Sequence, residues 1–185
     1  MKGIIILDGP DACGKTTLAN KFIDKYGGTY IHLTYRFADK MPIYHAAMLR
    51  KALKLSKSQL VIIDRLHVSE YIYAKVFRGG TKWPWMLPMF NSFCRELNIP
   101  IIICCPATVD RGIQWFEETK NKRFEMYDDI KEVIKEYIDY ANKYDVKIYN
   151  RDMNDGPPFV INDQEITYFD TIDLQVRFKL GGFNE

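Results

Sequence analysis

Cysteine is scarce in this chain, and what there is lacks the spacing of a metal site. Its four cysteines (Cys13, Cys94, Cys104, Cys105) show no zinc-ligand spacing and do not amount to a disulfide framework. They read as small buried apolar residues of a protein kept in a reducing cytoplasm. Cys104 and Cys105 are adjacent, so in a strand their side chains point to opposite faces. Long apolar runs are also missing: the longest, Ile99 to Pro106, is far too short to span a bilayer. The first residues already read as a strand, so no leader peptide and no membrane association are expected. Charge of either sign is not in excess, with 26 Lys and Arg against 24 Asp and Glu and a net charge of +2. That balance argues against a broad nucleic-acid surface, although local basic clusters stay open. Internal repeats, low-complexity linkers and the N-K-x-D guanine motif of GTPase switches are absent too.

What is present begins at Gly9. Gly9-Pro10-Asp11-Ala12-Cys13-Gly14-Lys15-Thr16-Thr17 fits the phosphate-loop pattern G-x-x-x-x-G-K-[ST] at every defined position. Gly9 and Gly14 permit backbone angles that turn successive N–H groups toward an anion. Ala12, Cys13 and Thr17 complete the cradle. Lys15 brings a point charge to the outer phosphates, and the Thr16 hydroxyl suits magnesium. The loop's context agrees. Ile4 to Leu7 is an apolar run fit for a strand buried on both faces, and Leu18, Ala19, Phe22, Ile23 and Tyr26 recur at helical spacing. Strand, glycine-bounded turn and helix thus follow in order, and the helix N-terminus adds its partial positive charge. ATP with magnesium is the expected donor. Cys13, inside the loop near a helix start, is expected to make nucleotide binding sensitive to thiol reagents.

Further strands are expected at Thr29–Leu33, Leu60–Ile63, Ile99–Cys105 and Val146–Asn150, with helical patterns between them, as in Asp128–Ala141. Their alternation predicts one α/β domain over 1–185, a five-stranded parallel sheet with helices on both faces. In such sheets ligands bind beyond the carboxyl ends of the strands. The stretch 151–185 is expected to be irregular, contributing at most a hairpin or an edge strand. Trp83-Pro84-Trp85 suits core packing or, alternatively, a homodimer surface.

The apolar run Leu60 to Ile63 ends in Asp64-Arg65. An aspartate there can hold a magnesium-bound water opposite Thr16 or contact the acceptor, and Arg65 is a bidentate donor at the same edge. The segment then continues with His67, Ser69, Glu70, Tyr71 and Tyr73 to Arg78-Gly79. With the phosphate loop, it resembles the P-loop nucleoside monophosphate kinases, above all the thymidylate kinase family and its short phage-type deoxynucleotide kinases. The resemblance spans roughly 2–152. It implies the P-loop three-layer sandwich with a mobile lid, placed here at about 111–127. It further implies that Asp11, Arg36, Asp64, Arg65, Glu70 and Tyr73 line the acceptor site. Arg36 would grip the acceptor's phosphate, although the family's Glu-Pro-Gly does not follow it. Lys15, Asp11, Arg111 and Arg123 would carry catalysis, with Lys120 and Lys122 adding charge to the lid. His67 is expected to pack or hydrogen-bond at the pocket edge.

The acceptor's chemistry separates the remaining readings. A phosphate acceptor is already ionised and needs no base, whereas a sugar hydroxyl must lose a proton to one. A deoxynucleoside kinase would place an acid soon after the second strand. Only Asp39 lies there, and Arg36 is closer to the strand. The expected reaction is therefore transfer from ATP to a deoxynucleoside monophosphate, dTMP foremost, with a deoxynucleoside kinase second. A kinase of hydroxymethylated pyrimidine in DNA and a non-catalytic nucleotide-binding module complete the alternatives. Aromatic stacking tolerates any base, so the residues do not choose one.

Overall fold

The computed structural model describes residues 2–34, 39–119, 127–152, 159–162, 165–169 and 175–179. Five apolar runs become the strands β1 (Gly3–Asp8), β2 (Thr29–His32), β3 (Leu60–Asp64), β4 (Ile101–Cys104) and β5 (Lys147–Tyr149). They pair in the order β2-β3-β1-β4-β5, every ladder parallel. β1 lies at the centre, with Ile5 opposite Ile62 and Leu7 opposite Asp64 on one side and Ile102 opposite Leu7 on the other. The central strands are apolar up to their last residues, Asp8 and Asp64, because helices cover both of their faces. A parallel sheet also puts every carboxyl end on one edge, so Asp8, His32, Asp64 and Cys104 end up there together.

The helices are α1 (Lys15–Tyr26), α2 (Met41–Ser56), α3 (His67–Arg78), α4 (Met86–Glu96), α5 (Val109–Glu117) and α6 (Tyr127–Tyr144). On one face, Leu18, Ala19 and Phe22 of α1 pack with Trp115 of α5 against Ile5, Leu7, Ile62 and Cys104. The opposite face takes Leu49 and Ala52 of α2 and Phe90 and Cys94 of α4 against Ile4, Ile6 and Ile63. Its remaining width is filled by α3 and α6, whose Val68, Ile72, Val133 and Tyr137 meet Ile103 and Cys105. Cys104 and Cys105 therefore do face opposite layers. Of the two tryptophans around Pro84, Trp83 packs against the core beneath α2 and α4 while Trp85 stands exposed.

The C-terminal stretch departs from its expected irregularity. Its Val, Ile, Thr, Tyr and Phe content favours strands. It forms β6 (Phe159–Asn162), β7 (Glu165–Phe169) and β8 (Gln175–Lys179), an antiparallel three-stranded sheet separate from the parallel one. Among the described residues no helix is long and apolar enough to cross a membrane.

All four cysteines are free and buried, Cys13 included. The Cys13 side chain points into the α1 layer and its Sγ reaches back to the Asp11 carbonyl at 3.5 Å. This corrects the expectation of a reactive loop thiol. Burial also pushes the Cys94 thiol up to about 12 and the Cys104 and Cys105 thiols upward. Titration of the native protein with a thiol reagent at pH 8 is expected to leave all four thiols unmodified for many minutes, and to count four at once in denaturant.

Candidate active site

The site is assembled by a carboxylate that ends β1. Asp8 is fully buried and accepts five hydrogen bonds. Its Oδ1 takes the Gly9 N–H (2.9 Å), the Tyr137 hydroxyl (2.7 Å) and the Ser69 hydroxyl; its Oδ2 takes the N–H groups of Leu66 (3.1 Å) and Ser69 (3.2 Å). The N–H donors from Leu66 and Ser69 belong to the first turn of α3, where unsatisfied amides and the helix dipole favour an anion. One side chain thus ties the start of the phosphate loop to the start of α3.

The loop between β1 and α1 is held by tight sterics. Gly9 has φ 142°, and a Cβ there would lie 2.1 Å from the Cys104 carbonyl oxygen, so only glycine fits. Gly14, at φ 83°, precedes the first turn of α1. Lys15 is buried, and its Nζ donates to the Gly9 and Pro10 carbonyls at 2.8 and 2.5 Å. The ammonium is thereby folded across the loop it serves. Thr16 and Thr17 are exposed at the helix start.

From the loop, Asp11 forms an ion pair with Arg65. Arg65 follows β3 directly, at φ 70°, a conformation L-residues rarely hold and one that clusters at functional sites. Its N–H bonds to the Leu7 carbonyl at 2.8 Å, which fixes the turn, and its guanidinium lies 5.1 Å from the centre of the Tyr73 ring. Asp11, Arg65, Glu70 and Tyr73 line one cavity of about 370 Å³. Glu70 is buried there, with Arg78 bonded to its carboxylate at 2.9 Å. The pairing fixes the orientation of the carboxylate.

Asp64 stands just behind this wall, 1% exposed. Its Oδ2 accepts from the Tyr30 hydroxyl and lies 3.1 Å from His32 Nδ1, while its Oδ1 has no hydrogen-bond partner among the described residues. Burial, and then the Asp64 carboxylate, push the Tyr30 hydroxyl up to about 12. Thr16 stands in the first turn of α1 just after the loop and Asp64 ends β3, so both stand at the carboxyl edge of the sheet. An exposed hydroxyl and a carboxylate oxygen without a partner make a donor set that suits a hard, oxygen-seeking dication such as magnesium. No cluster of three or more His, Cys, Asp or Glu suited to a metal occurs among the described residues.

The remaining expected residues fall elsewhere. Arg111 lies on α5 and makes a two-pronged ion pair with Asp152 (2.5 and 3.1 Å). Arg36, Lys120, Lys122 and Arg123 lie outside the described residues. His67 is a core residue, stacked on Phe90 at 5.4 Å and bonded through Nε2 to Asn91 at 2.7 Å. Sequence reasoning missed Asp8, His32, His45 and Arg151. His32 and His45 line the cavity. Arg151 rests on the Trp115 ring at 4.2 Å and donates to the Ala12 carbonyl of the loop at 3.2 Å. Three of the four carry a legible signal, because each is the last residue of a parallel strand or follows one within two positions. His45 carries none, since its place depends on how α2 crosses the sheet.

Two outcomes follow from these contacts. Asp8→Asn places an amide donor against donors already directed there, and is expected to lower unfolding stability by about 2–4 kcal/mol in urea titrations; Gly9→Ala is expected to weaken nucleotide binding as well. The second concerns pH. Burial lowers both His45 and His67 from 6.5 to about 4. The unfolded chain therefore binds more protons between pH 6.5 and 4, and stability falls as pH drops through that window, by of order 3 kcal/mol for each histidine. His67→Gln is expected to flatten that dependence in denaturation curves taken at pH 7, 6 and 5.

No protein-family model and no curated protein sequence matches the chain. Solved structures do. The Bacillus subtilis YorR protein, in complex with phosphorylated GDP, is similar at 19% identity and a TM-score of 0.60, over 79% of this chain and 83% of that one. A deoxyadenosine kinase from M. mycoides with bound dATP matches at 19% identity and 0.52, over 80% and 89%. Thymidylate kinase from Candida albicans matches at 12% identity and 0.50, over 80% and 83%. With its parallel sheet, its glycine-bounded loop and these neighbours, the chain has the fold of the P-loop nucleotide kinases.

Proposed function

We propose that the protein transfers the γ-phosphoryl group of ATP to a deoxynucleoside monophosphate, with dTMP the foremost candidate. The observation that carries this reading is the ion pair between Asp11 of the phosphate loop and Arg65 after β3. It makes the loop that would hold the donor into one wall of the cavity that would hold the acceptor. In-line transfer depends on that adjacency more than on covalent help from the protein.

The chain's own residues divide the work. Loop N–H groups and Lys15 meet the donor's β- and γ-phosphates, and Lys15 exchanges its carbonyl partners for phosphate oxygens as charge builds there. Arg65 orients the acceptor's phosphate with its planar fork. Tyr73, beneath Arg65, walls the base or sugar, and Glu70 accepts from a hydroxyl or base N–H. Arg36 grips the same phosphate, and Arg111 and Arg123 bring charge to the transferring group. Thr16 and Asp64 would hold magnesium, which when bound neutralises charge on the outer phosphates. A deoxyadenosine kinase and a thymidylate kinase share this fold, and both are consistent with a small deoxynucleotide-type acceptor.

One contact favours the second reading, a deoxynucleoside kinase. His32 lines the cavity with Nδ1 against the buried Asp64 carboxylate, an arrangement that leaves Nε2 able to take a proton from a sugar hydroxyl. A coupled ADP-release assay with ATP, magnesium and panels of nucleosides and nucleoside monophosphates separates the two. ADP release stimulated by monophosphates, dTMP most strongly, is the expected result. Release with nucleosides alone, abolished by His32→Asn, overturns it. Lys15→Ala is expected to lower kcat by roughly 10²–10³-fold, and Arg36→Ala mainly to raise the KM for the monophosphate.

A further inference from the structure

His45 comes from α2 to line the same cavity as Asp11, Arg65 and Glu70. It is 3% exposed, and its Nδ1 is buried with no hydrogen-bond partner among the described residues. Neighbouring rings fix its orientation: Tyr44 lies 5.9 Å away, and Phe90 meets it edge-on at 6.3 Å. Burial lowers its pKa to about 4, so at pH 7 the imidazole is neutral and carries one ring proton. The enclosure of Nδ1 decides which nitrogen holds that proton. Of the two defects, a buried N–H without an acceptor is rarer in proteins than an acceptor without a donor. The proton therefore sits on Nε2, the nitrogen left to meet whatever enters the cavity. His67, close enough to lower the His45 pKa further, makes the same choice. Its Nε2–H donates to Asn91 Oδ1 at 2.7 Å, and its Nδ1 is likewise buried without a partner.

We propose that His45 donates a hydrogen bond from Nε2 to a carbonyl oxygen of the acceptor's base, and so selects a keto base over an amino base. The inference rests on the reading of this cavity as the acceptor site, and it holds for a nucleoside as for a monophosphate. With the sugar-phosphate end of the acceptor beside Arg65 and the loop, the base is the part left to reach α2. In thymine and uracil a carbonyl stands next to the N3–H. The cavity offers a partner to each, His45 to the carbonyl and the Glu70 carboxyl group to the N–H. In cytosine and adenine an amino group takes the carbonyl's place, and its N–H would point at the Nε2–H. His45 could accept from it only by moving the proton to Nδ1, where nothing receives it. The missing partner at Nδ1 thus locks the tautomer and makes an adaptable side chain one-sided. One misplaced buried donor is worth roughly 10–100-fold in kcat/KM.

Initial rates with dUMP and dCMP test this, because the two differ only in the carbonyl or amino group at ring position 4 and in the N3 proton. The wild-type kcat/KM is expected to favour dUMP by roughly 10–100-fold. His45→Gln, whose carboxamide can turn either its oxygen or its NH2 to the base, is expected to lower that ratio about 10-fold without changing the KM for ATP. His45→Asn serves as a second variant, and circular dichroism checks that both fold. A pyrimidin-2-one deoxynucleotide, with neither group at position 4, needs no variant and is expected to fall between dUMP and dCMP. Thymidine and deoxycytidine are measured alongside, as substrates and by calorimetry. If nucleosides alone are phosphorylated, the monophosphate reading falls, while a preference for thymidine that His45→Gln removes sustains this one. A wild type that treats both keto–amino pairs alike overturns the proposal. So does a pyrimidin-2-one used as well as dUMP, a preference left intact in both folded variants, or a failure of all four acceptors to bind at about 1 mM.

Discussion

The candidate site hangs on one buried carboxylate. Asp8 is not in line to touch a substrate, yet the amide of Gly9, the first turn of α3 and the hydroxyl of Tyr137 from α6 all converge on its two oxygens. A buried charge is tolerable only when donors surround it, and here the donors come from three separate elements. Satisfying Asp8 therefore dictates where the loop and α3 sit relative to each other. Arg65, Glu70 and Tyr73 take their places as a result.

Charge is arranged around this anchor in opposed pairs. Arg65 faces Asp11, and Arg78 faces Glu70. Lys15 is held by carbonyl oxygens and not by a carboxylate. The difference matters for an anionic ligand. A lysine bound to neutral carbonyls keeps its full charge to offer, whereas an arginine already facing a carboxylate offers direction and hydrogen bonds more than net attraction. The loop thus keeps a cation bonded to no carboxylate, while the cavity lined by Arg65 and Glu70 holds its charges in opposed pairs.

The sheet was legible because its strands are short, largely apolar and separated by amphipathic stretches. All five expected strands overlap observed ones, and the helix expected over Asp128–Ala141 lies within α6. The loop and the Asp64-Arg65 turn were legible because both are marked by local residue types at fixed spacing. What escaped depends on contacts between elements far apart in the chain. His45 reaches the cavity only through the crossing of α2. Cys13 looked accessible because its neighbours in sequence are loop residues, but the loop's turn aims its side chain into the core. The tail gave only weak alternation, and its strands satisfy one another without any partner from the parallel sheet.

The same saturation of Asp8 has a consequence for heat. Because the loop amide and the α3 amides share one acceptor residue, neither can loosen without leaving the other's partner exposed to rearrangement. The opening of α3 and the collapse of the anion cradle are then a single cooperative event. Warming would not produce a folded protein with a frayed loop; the order of the loop and the order of the helix would vanish together.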